Sequence, residues 1–380
     1  MNKQRIIAII VIVAVIGIIG VLEIVKPKHA DVAPAEEVIL DKNARTAMKA
    51  LQYSPAKEIT TPDGFINYPT AGTDQNEPFI LQDFIGKKVI LVEFWTYSCI
   101  NCQRVIPYLN EWYKEYEDDG LVIVGIHTPE FDFEKDFDNV KRAVEKYGIT
   151  WPVVLDNDYS TWTAYMNRYW PRKYLIDIDG YVVYDHIGEG GYDETEQEIV
   201  KLLNERKQVF GEAGTVTVKG GEPDDMQPVD SDKIGTPETY LGSARIQYLI
   251  NLPNRSCLEG SCTYSFSNLN DFQGYELMGA WKLSNETANL ESDTGAIRIA
   301  FTASKVNLVA GSDTPVRARI FVDGKPVDST SAGSDVDGGI VTFSEHDLYN
   351  LVDLHGEYGA HILEIQFLDP GISAFAFTFG

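Results

Sequence analysis

The feature that most restricts this chain is a short one. Cys99-Ile100-Asn101-Cys102 follows directly on the apolar run 89–94 and opens an amphipathic stretch over 103–116. A strand that passes into a helix through a pair of cysteines predicts an α/β arrangement there, with Cys99 at the helix N-terminus. The first N–H groups of a helix lack intrahelical partners and carry partial positive charge, which favours a thiolate at that place. Cys102 falls one turn further on, within reach of a mixed disulfide formed on Cys99. The spacing therefore reads as a redox dithiol. A closed zinc site needs four ligands, and the only other cysteines, Cys257 and Cys262, lie far downstream in unlike sequence.

The residues around the pair extend the pattern. Glu93 and Trp95 precede Cys99 on the strand, Pro107 sits inside the helix, and Trp170-Pro171 stands at the entry to another apolar run, 173–177. This pattern resembles the thioredoxin superfamily, in which a Trp, a buried acid and a helix-kinking Pro take those places. A later proline, usually cis, faces the dithiol in that family. Over 93–194 the resemblance narrows. The blocks Phe94-Trp95-Thr96-Tyr97-Ser98-Cys99-Ile100-Asn101-Cys102-Gln103-Arg104, His127-Thr128-Pro129-Glu130-Phe131, Leu155-Asp156-Asn157-Asp158-Tyr159, Tyr169-Trp170-Pro171 and Gly188-Glu189-Gly190-Gly191-Tyr192 are similar, in order, to the thioredoxin-like domain of the DipZ group. That group is related to the TlpA and ResA type of extracytoplasmic thiol:disulfide oxidoreductase. The resemblance implies a redox-active Cys99–Cys102 disulfide, a buried Glu93 that takes the proton of Cys102, and substrate contact at Trp95, Trp170 and a cis Pro171. Taken without the resemblance, Pro171 is only a proline at a strand entry and Glu93 only an acid among apolar neighbours.

The front of the chain departs from the DipZ group, whose members carry a multi-helix membrane domain. One apolar segment, 6–25, has the length of about 20 residues needed to span hydrocarbon. It ends in Leu-Glu-Ile-Val-Lys-Pro-Lys, a poor cleavage site, so an uncleaved single-pass anchor is expected rather than a signal peptide. Lys3 and Arg5 on one side face Lys26 and Lys28 on the other, and the short basic tail is more easily kept inside than the long acidic remainder. These readings place the dithiol outside the cytoplasm, at the cell membrane. They also call for a separate membrane electron donor or acceptor of the DsbD/CcdA kind and for disulfide-bearing extracytoplasmic proteins as partners.

The expected organisation is a tail and anchor over 1–28, a tether over 29–60 with one helical patch at 41–51, a thioredoxin-like α/β domain over 61–212, a linker over 213–235 and an all-β sandwich over 236–380. Alternating strands and helices over 89–209 predict a mixed sheet with helices on both faces, including strands at 89–94, 121–127, 152–155, 173–177 and 181–187 and a helix over 133–147. Beyond the Gly- and Asp-rich linker only short β-rich runs occur, such as 296–303, 316–322, 361–367 and 374–379, which predicts a sandwich or jelly roll. Thr236-Pro237-Glu238-Thr239-Tyr240-Leu241-Gly242 and the ending Ala374-Phe375-Ala376-Phe377-Thr378-Phe379-Gly380 also resemble the C-terminal domain of DipZ, whose fold is like that of carbohydrate-binding modules.

A glycan is thus one candidate ligand there. Trp281, Tyr240, Tyr264 and Tyr275 are the aromatics that could stack on a sugar, although each singly is better placed as core. Cys257 and Cys262 stand in a short polar loop without the strand and Trp of a redox motif, so a local structural disulfide is expected; a second redox pair is the minor alternative. A net charge of −25 over 380 residues argues against nucleic acid. The six histidines show no ligand spacing, and neither metal nor cofactor is expected. A second class of function is a surface glycan- or protein-binding protein that uses the thioredoxin fold as scaffold. A thiol peroxidase needs a Thr and Arg setting that Cys99 lacks.

Overall fold

The strand that leads into the dithiol is packed on both faces. In this computed structural model, which describes residues 41–68, 78–267 and 274–380, strand β3 (Val89–Trp95) is buried at all seven positions. Such a strand reads as a continuous apolar run because both of its faces are covered. It lies fourth in a seven-stranded mixed sheet of order β1-β7-β6-β3-β4-β5-β2. The partners are β1 (Ser54–Pro55), β2 (Gly64–Ile66), β4 (Leu121–His127), β5 (Val153–Leu155), β6 (Arg172–Ile176) and β7 (Tyr181–Ile187). β3 runs parallel to β4 and antiparallel to β6. Val89, Leu91 and Trp95 face a core shared with the dithiol helix, α2 (Ile100–Tyr116), with α3 (Phe137–Lys146) and with α5 (Tyr192–Phe210). Ile90, Val92 and Phe94 face the other layer, built on Phe79, Leu81 and Tyr165. The short helix α4 (Ser160–Ala164) lies on that side. The expected mixed α/β sheet is what forms.

Two expectations need correction. The helix expected over 133–147 is broken: a 3-10 turn, Asp132–Lys135, precedes α3, because the Asp136 carboxylate accepts hydrogen bonds from the N–H groups of Asp138 and Asn139 and starts the helix anew. Within the expected tether, residues 42–60 belong to the folded body. Helix α1 (Lys42–Ala50) is held by Lys49, whose Nζ lies 2.6, 2.9 and 2.5 Å from carboxylate oxygens of Asp177, Asp179 and Glu205. Arg45 adds a second cation on Asp179, and β1 then pairs with β7. The ammonium of Lys49 fills the centre of what would otherwise be three clustered acids. No helix among the described residues is long and apolar enough to cross a membrane; the segment expected to be an anchor, 6–25, lies outside the described residues.

Among the described residues, the 236–380 part forms thirteen antiparallel strands, β8 to β20. Strand β10 (Tyr275–Leu283) serves both halves of this sandwich. Its residues 275–278 pair with β12 (Gly295–Ala303), and its residues 279–283 pair with β9 (Ser261–Tyr264) and β11 (Ala288–Leu290). The change of partner occurs at Gly279, with φ +103°, where a Cβ would meet the Thr294 carbonyl and the Gly295 Cα. Only glycine adopts that turn at no steric cost. The core between the halves holds Trp281, Phe301, Phe343 and Phe367, and the Cys257–Cys262 disulfide closes a loop against it. Trp281, Tyr264 and Tyr275 are all fully buried, so of the four aromatics considered for a sugar only Tyr240 reaches the surface.

The linker runs along α5, where Asn204 brackets Val216 with two hydrogen bonds. Residues 42–380 accordingly cluster as one unit. The sandwich docks on the α/β half through an apolar patch of Ile100, Phe131, Val309, Leu348 and Phe375, ringed by polar contacts. Among the latter, the Tyr97 hydroxyl donates to the His346 carbonyl at 3.0 Å, and Arg245 lies 2.6 Å from Glu130.

Candidate active site

Cys99 is the N-cap of α2: its backbone is extended, and its carbonyl accepts the first helical hydrogen bond, from Gln103 N–H at 3.0 Å. No side chain caps this helix end. Cys99 thus occupies the N-cap position, next to the first-turn N–H groups that have no intrahelical partner. Cys99 is partly exposed and Cys102 is buried, and both are free thiols. Burial, and then a hydrogen bond shared with Cys99, push the Cys102 thiol well above the ordinary range. One sulfur is accessible and the other is held in reserve.

Glu93 lies below the pair. In β3 it shares a face with Leu91 and Trp95, the face toward α2, and it is 1% exposed. Burial pushes its carboxyl up to about 7, against the pull of Lys173. Lys173 is the cross-strand partner of Glu93 on β6 and is itself fully buried. Neither carboxylate oxygen nor the ammonium has a hydrogen-bond partner among the described residues. A carboxyl close to neutrality beside a buried thiol can take the proton that the thiol must lose.

The Trp170-Pro171 peptide bond is cis, as the resemblance implies. Trp170 is fixed by its indole N–H, which donates to the Thr128 carbonyl at 2.9 Å, and its ring lies tilted against Trp162 with centroids 4.3 Å apart. Cys99 and Trp170 line one cleft. Trp95 differs from the expectation. It is 1% exposed and packs edge-on against His127 and Trp151, so it supports the floor of the site and does not meet a visitor. His127 is buried as well, and desolvation lowers its pKa to about 3, which leaves a neutral ring at any working pH.

Comparison with known proteins fits this geometry. Residues 54–185 match the AhpC/TSA family and residues 236–380 match the thioredoxin-like C-terminal domain family. Protein DipZ of Mycobacterium bovis is 34% identical over 329 residues, which is 84% of this chain and 43% of DipZ. Thiol-disulfide oxidoreductase YkuV of Bacillus subtilis is 30% identical over 33% of this chain and 83% of its own length, and ResA of Bacillus thuringiensis is 31% identical over 33% and 74%. The chain is a thioredoxin-like protein of the DipZ type. It spans less than half the length of the DipZ proteins it matches.

In this DipZ-type chain several site residues escape a reading of the sequence. Lys173 sits in what reads as an ordinary strand; only the alternation that puts it on the face of Leu175 hints at burial. Glu134 is fully buried and ties the turn before Cys99 to the 130–131 loop: it accepts from Ser98 Oγ at 2.6 Å and from the N–H groups of Glu130 and Phe131 at 2.6 and 2.9 Å. Burial pushes this carboxyl up to about 7 as well, with the Ser98 hydrogen bond opposing. Arg104 bridges the dithiol helix to Glu189 at 3.2 Å and to the Phe379 carbonyl at 3.4 Å. Glu189 is raised by its own burial and pulled back by Arg104. Pro237, Glu238, Tyr240 and Phe379 of the sandwich line the same cleft as Cys99.

Proposed function

We propose that this chain is a membrane-anchored, extracytoplasmic thiol:disulfide oxidoreductase that exchanges disulfides with protein substrates. The carrying observation is the pairing of a partly exposed Cys99 at a helix N-terminus with a buried Cys102 one turn along, in a cleft shared with Trp170. In the reducing direction the Cys99 thiolate attacks one sulfur of a substrate disulfide. A bond from Cys99 to that sulfur forms as the substrate S–S bond breaks, and the first substrate thiolate leaves and takes a proton from water. Cys102 then yields its proton to Glu93 and attacks the Cys99 sulfur. The Cys99–Cys102 disulfide forms, the second substrate thiolate departs, and two electrons have passed to the substrate. The oxidising direction is the same sequence reversed.

The kinship to YkuV and ResA, both thiol-disulfide oxidoreductases, supports this chemistry. The electron partner in this reading is a membrane protein of the DsbD/CcdA kind. Anchoring and an extracytoplasmic position rest on the 6–25 segment of the sequence. For a glycan at the C-terminal half, Tyr240 is the aromatic with an accessible surface, and the Arg245 guanidinium already lies 3.7 Å from its ring centre. Trapping tests the exchange reading. Cys102→Ser is expected to accumulate a covalent complex with a disulfide peptide through Cys99, released by dithiothreitol; a variant that reduces the peptide without forming one would overturn the scheme.

A further inference from the structure

Two backbone edges border the cleft above Cys99, one from each half of the molecule. The cleft has a volume of about 710 Å³. On the α/β side, the Pro171 carbonyl accepts from Gly188 N–H, but no main-chain hydrogen bond among the described residues uses the N–H or C=O of Trp170. On the sandwich side stands β8 (Thr239–Tyr240), paired with β20 (Ser373–Phe379) in the register Thr239 to Phe377 and Tyr240 to Ala376. Leu241 N–H donates to the Phe375 carbonyl at 2.8 Å. In an antiparallel ladder, residues alternate between bonding the partner strand and pointing away from it. Leu241 and Thr239 thus bond β20, while the N–H and C=O groups of Glu238 and Tyr240 point outward. β8 has no second partner strand among the described residues, and both Glu238 and Tyr240 line the cleft.

The second edge is fixed in place relative to the first. The Tyr240 hydroxyl donates to Glu130 at 2.8 Å, and Arg245 clamps the same carboxylate. An unpaired edge recognises extended main chain, which it extends by one strand. The cleft falls in the size range of sites that enclose a small ligand or a few residues. An extended segment can lay its main chain along both edges, which a cystine held in a compact fold does less readily and a small-molecule disulfide, with no main chain, cannot do.

We propose, building on the exchange activity assigned to Cys99, that the C-terminal half selects substrate. It does so by holding a disulfide-bearing extended polypeptide segment between Trp170 and the outer edge of β8. The β-sandwich is then a wall of the active site, and unfolded or flexible chain is the preferred partner.

The test compares kcat/KM on three disulfides: a short flexible peptide dimer, the same cystine held inside a compact folded domain, and bis(2-hydroxyethyl) disulfide. The parent protein is expected to reduce the flexible peptide at least ~10-fold faster than the folded domain. Glu238→Pro removes one outward N–H and none directed at β20. It is expected to lower the ratio of peptide to hydroxyethyl disulfide by about fivefold, the size of one lost hydrogen bond, and Glu238→Ala to lower it less than about twofold. A second measurement leaves the protein unaltered: N-methylating the peptide amides that flank the cystine is expected to depress its rate in the parent. Equal reduction of the folded and flexible forms, or a ratio unmoved by both Glu238→Pro and N-methylation, would overturn the docking. Exchange with none of the three would instead sink the activity itself, and the docking with it.

Discussion

The chain holds two cysteine pairs with opposite fates. Cys99 and Cys102 are spaced one helical turn apart and are free, with one sulfur at the mouth of a cleft. Cys257 and Cys262 are joined, with Cys257 sealed into the sandwich core and Cys262 on a strand paired to Trp281. What separates them is surroundings. The first pair has an accessible sulfur at the start of α2 and a buried carboxyl, Glu93, on the face below the other sulfur; the second is packed against the apolar core of the sandwich. Reactivity follows from the neighbours of a sulfur and from its accessibility, and a bond that closes a loop onto a core contributes to stability instead.

That contrast can be broken from the dithiol side first. Cys99→Ser is expected to reduce peptide-disulfide exchange by at least ~1,000-fold, as loss of the attacking nucleophile does, measured as thiol release over time. Replacing Cys257 and Cys262 together by serine should leave that rate where it was, and a comparable loss of exchange in the double variant would erase the distinction.

Glu93→Gln comes next. The parent is expected to show a rise in exchange rate through about pH 7, where Glu93 becomes able to accept the Cys102 proton. In the variant the rise should vanish and the rate at pH 7.5 fall by roughly 10- to 100-fold. Glu134 is raised to the same range, so Glu134→Gln serves as the control that keeps the inflection. The same shift acts on stability. The folded-state pKa of Glu93 lies above the ordinary carboxyl value of about 4.3, so the folded chain binds this proton more tightly than the unfolded chain. Its contribution is present below about pH 4 and is lost as pH rises through about 7. Urea unfolding at pH 5 and at pH 8 should therefore show Glu93→Gln gaining on the parent as pH rises.

From the other pair the expected change is in stability alone. Loss of the short loop closed by Cys257 and Cys262 should cost about 2 kcal/mol on the chain-entropy scale, read from the urea midpoint. The smallest effect concerns the rim between the two halves, where Arg142 meets Glu345 at 2.9 Å with both side chains largely exposed. Arg142→Ala is expected to cost less than about 1 kcal/mol. A larger loss would mean that the polar rim, and not the patch around Phe131 and Phe375, holds the halves together.

Much of this molecule was legible in the order of its residues. The runs at 121–127, 181–187 and 316–322 become strands with those bounds, because alternation and flanking turn residues mark them locally. The dithiol and its helix were legible for the same reason. The break within 133–147 is not legible, because Asp136 looks like any charged residue until its carboxylate turns back on the chain. The helical patch at 41–51 is legible and forms α1, but its seat on the folded body is not, because its anchors, Asp177, Asp179 and Glu205, lie far along the sequence. Trp95 carried the motif without revealing that β4 and Trp151 would cover it.

The sequence by itself determined the kind of chemistry, since a thiol pair at a strand-to-helix junction needs only neighbours a few positions away. Tertiary structure alone decided what stands beneath and above that pair. Lys173 comes to Glu93 through cross-strand register, and Glu238 and Tyr240 come to the cleft through the docking of a second domain. Register and docking are set by burying apolar surface between segments far apart in the chain, and no short window of residues encodes that.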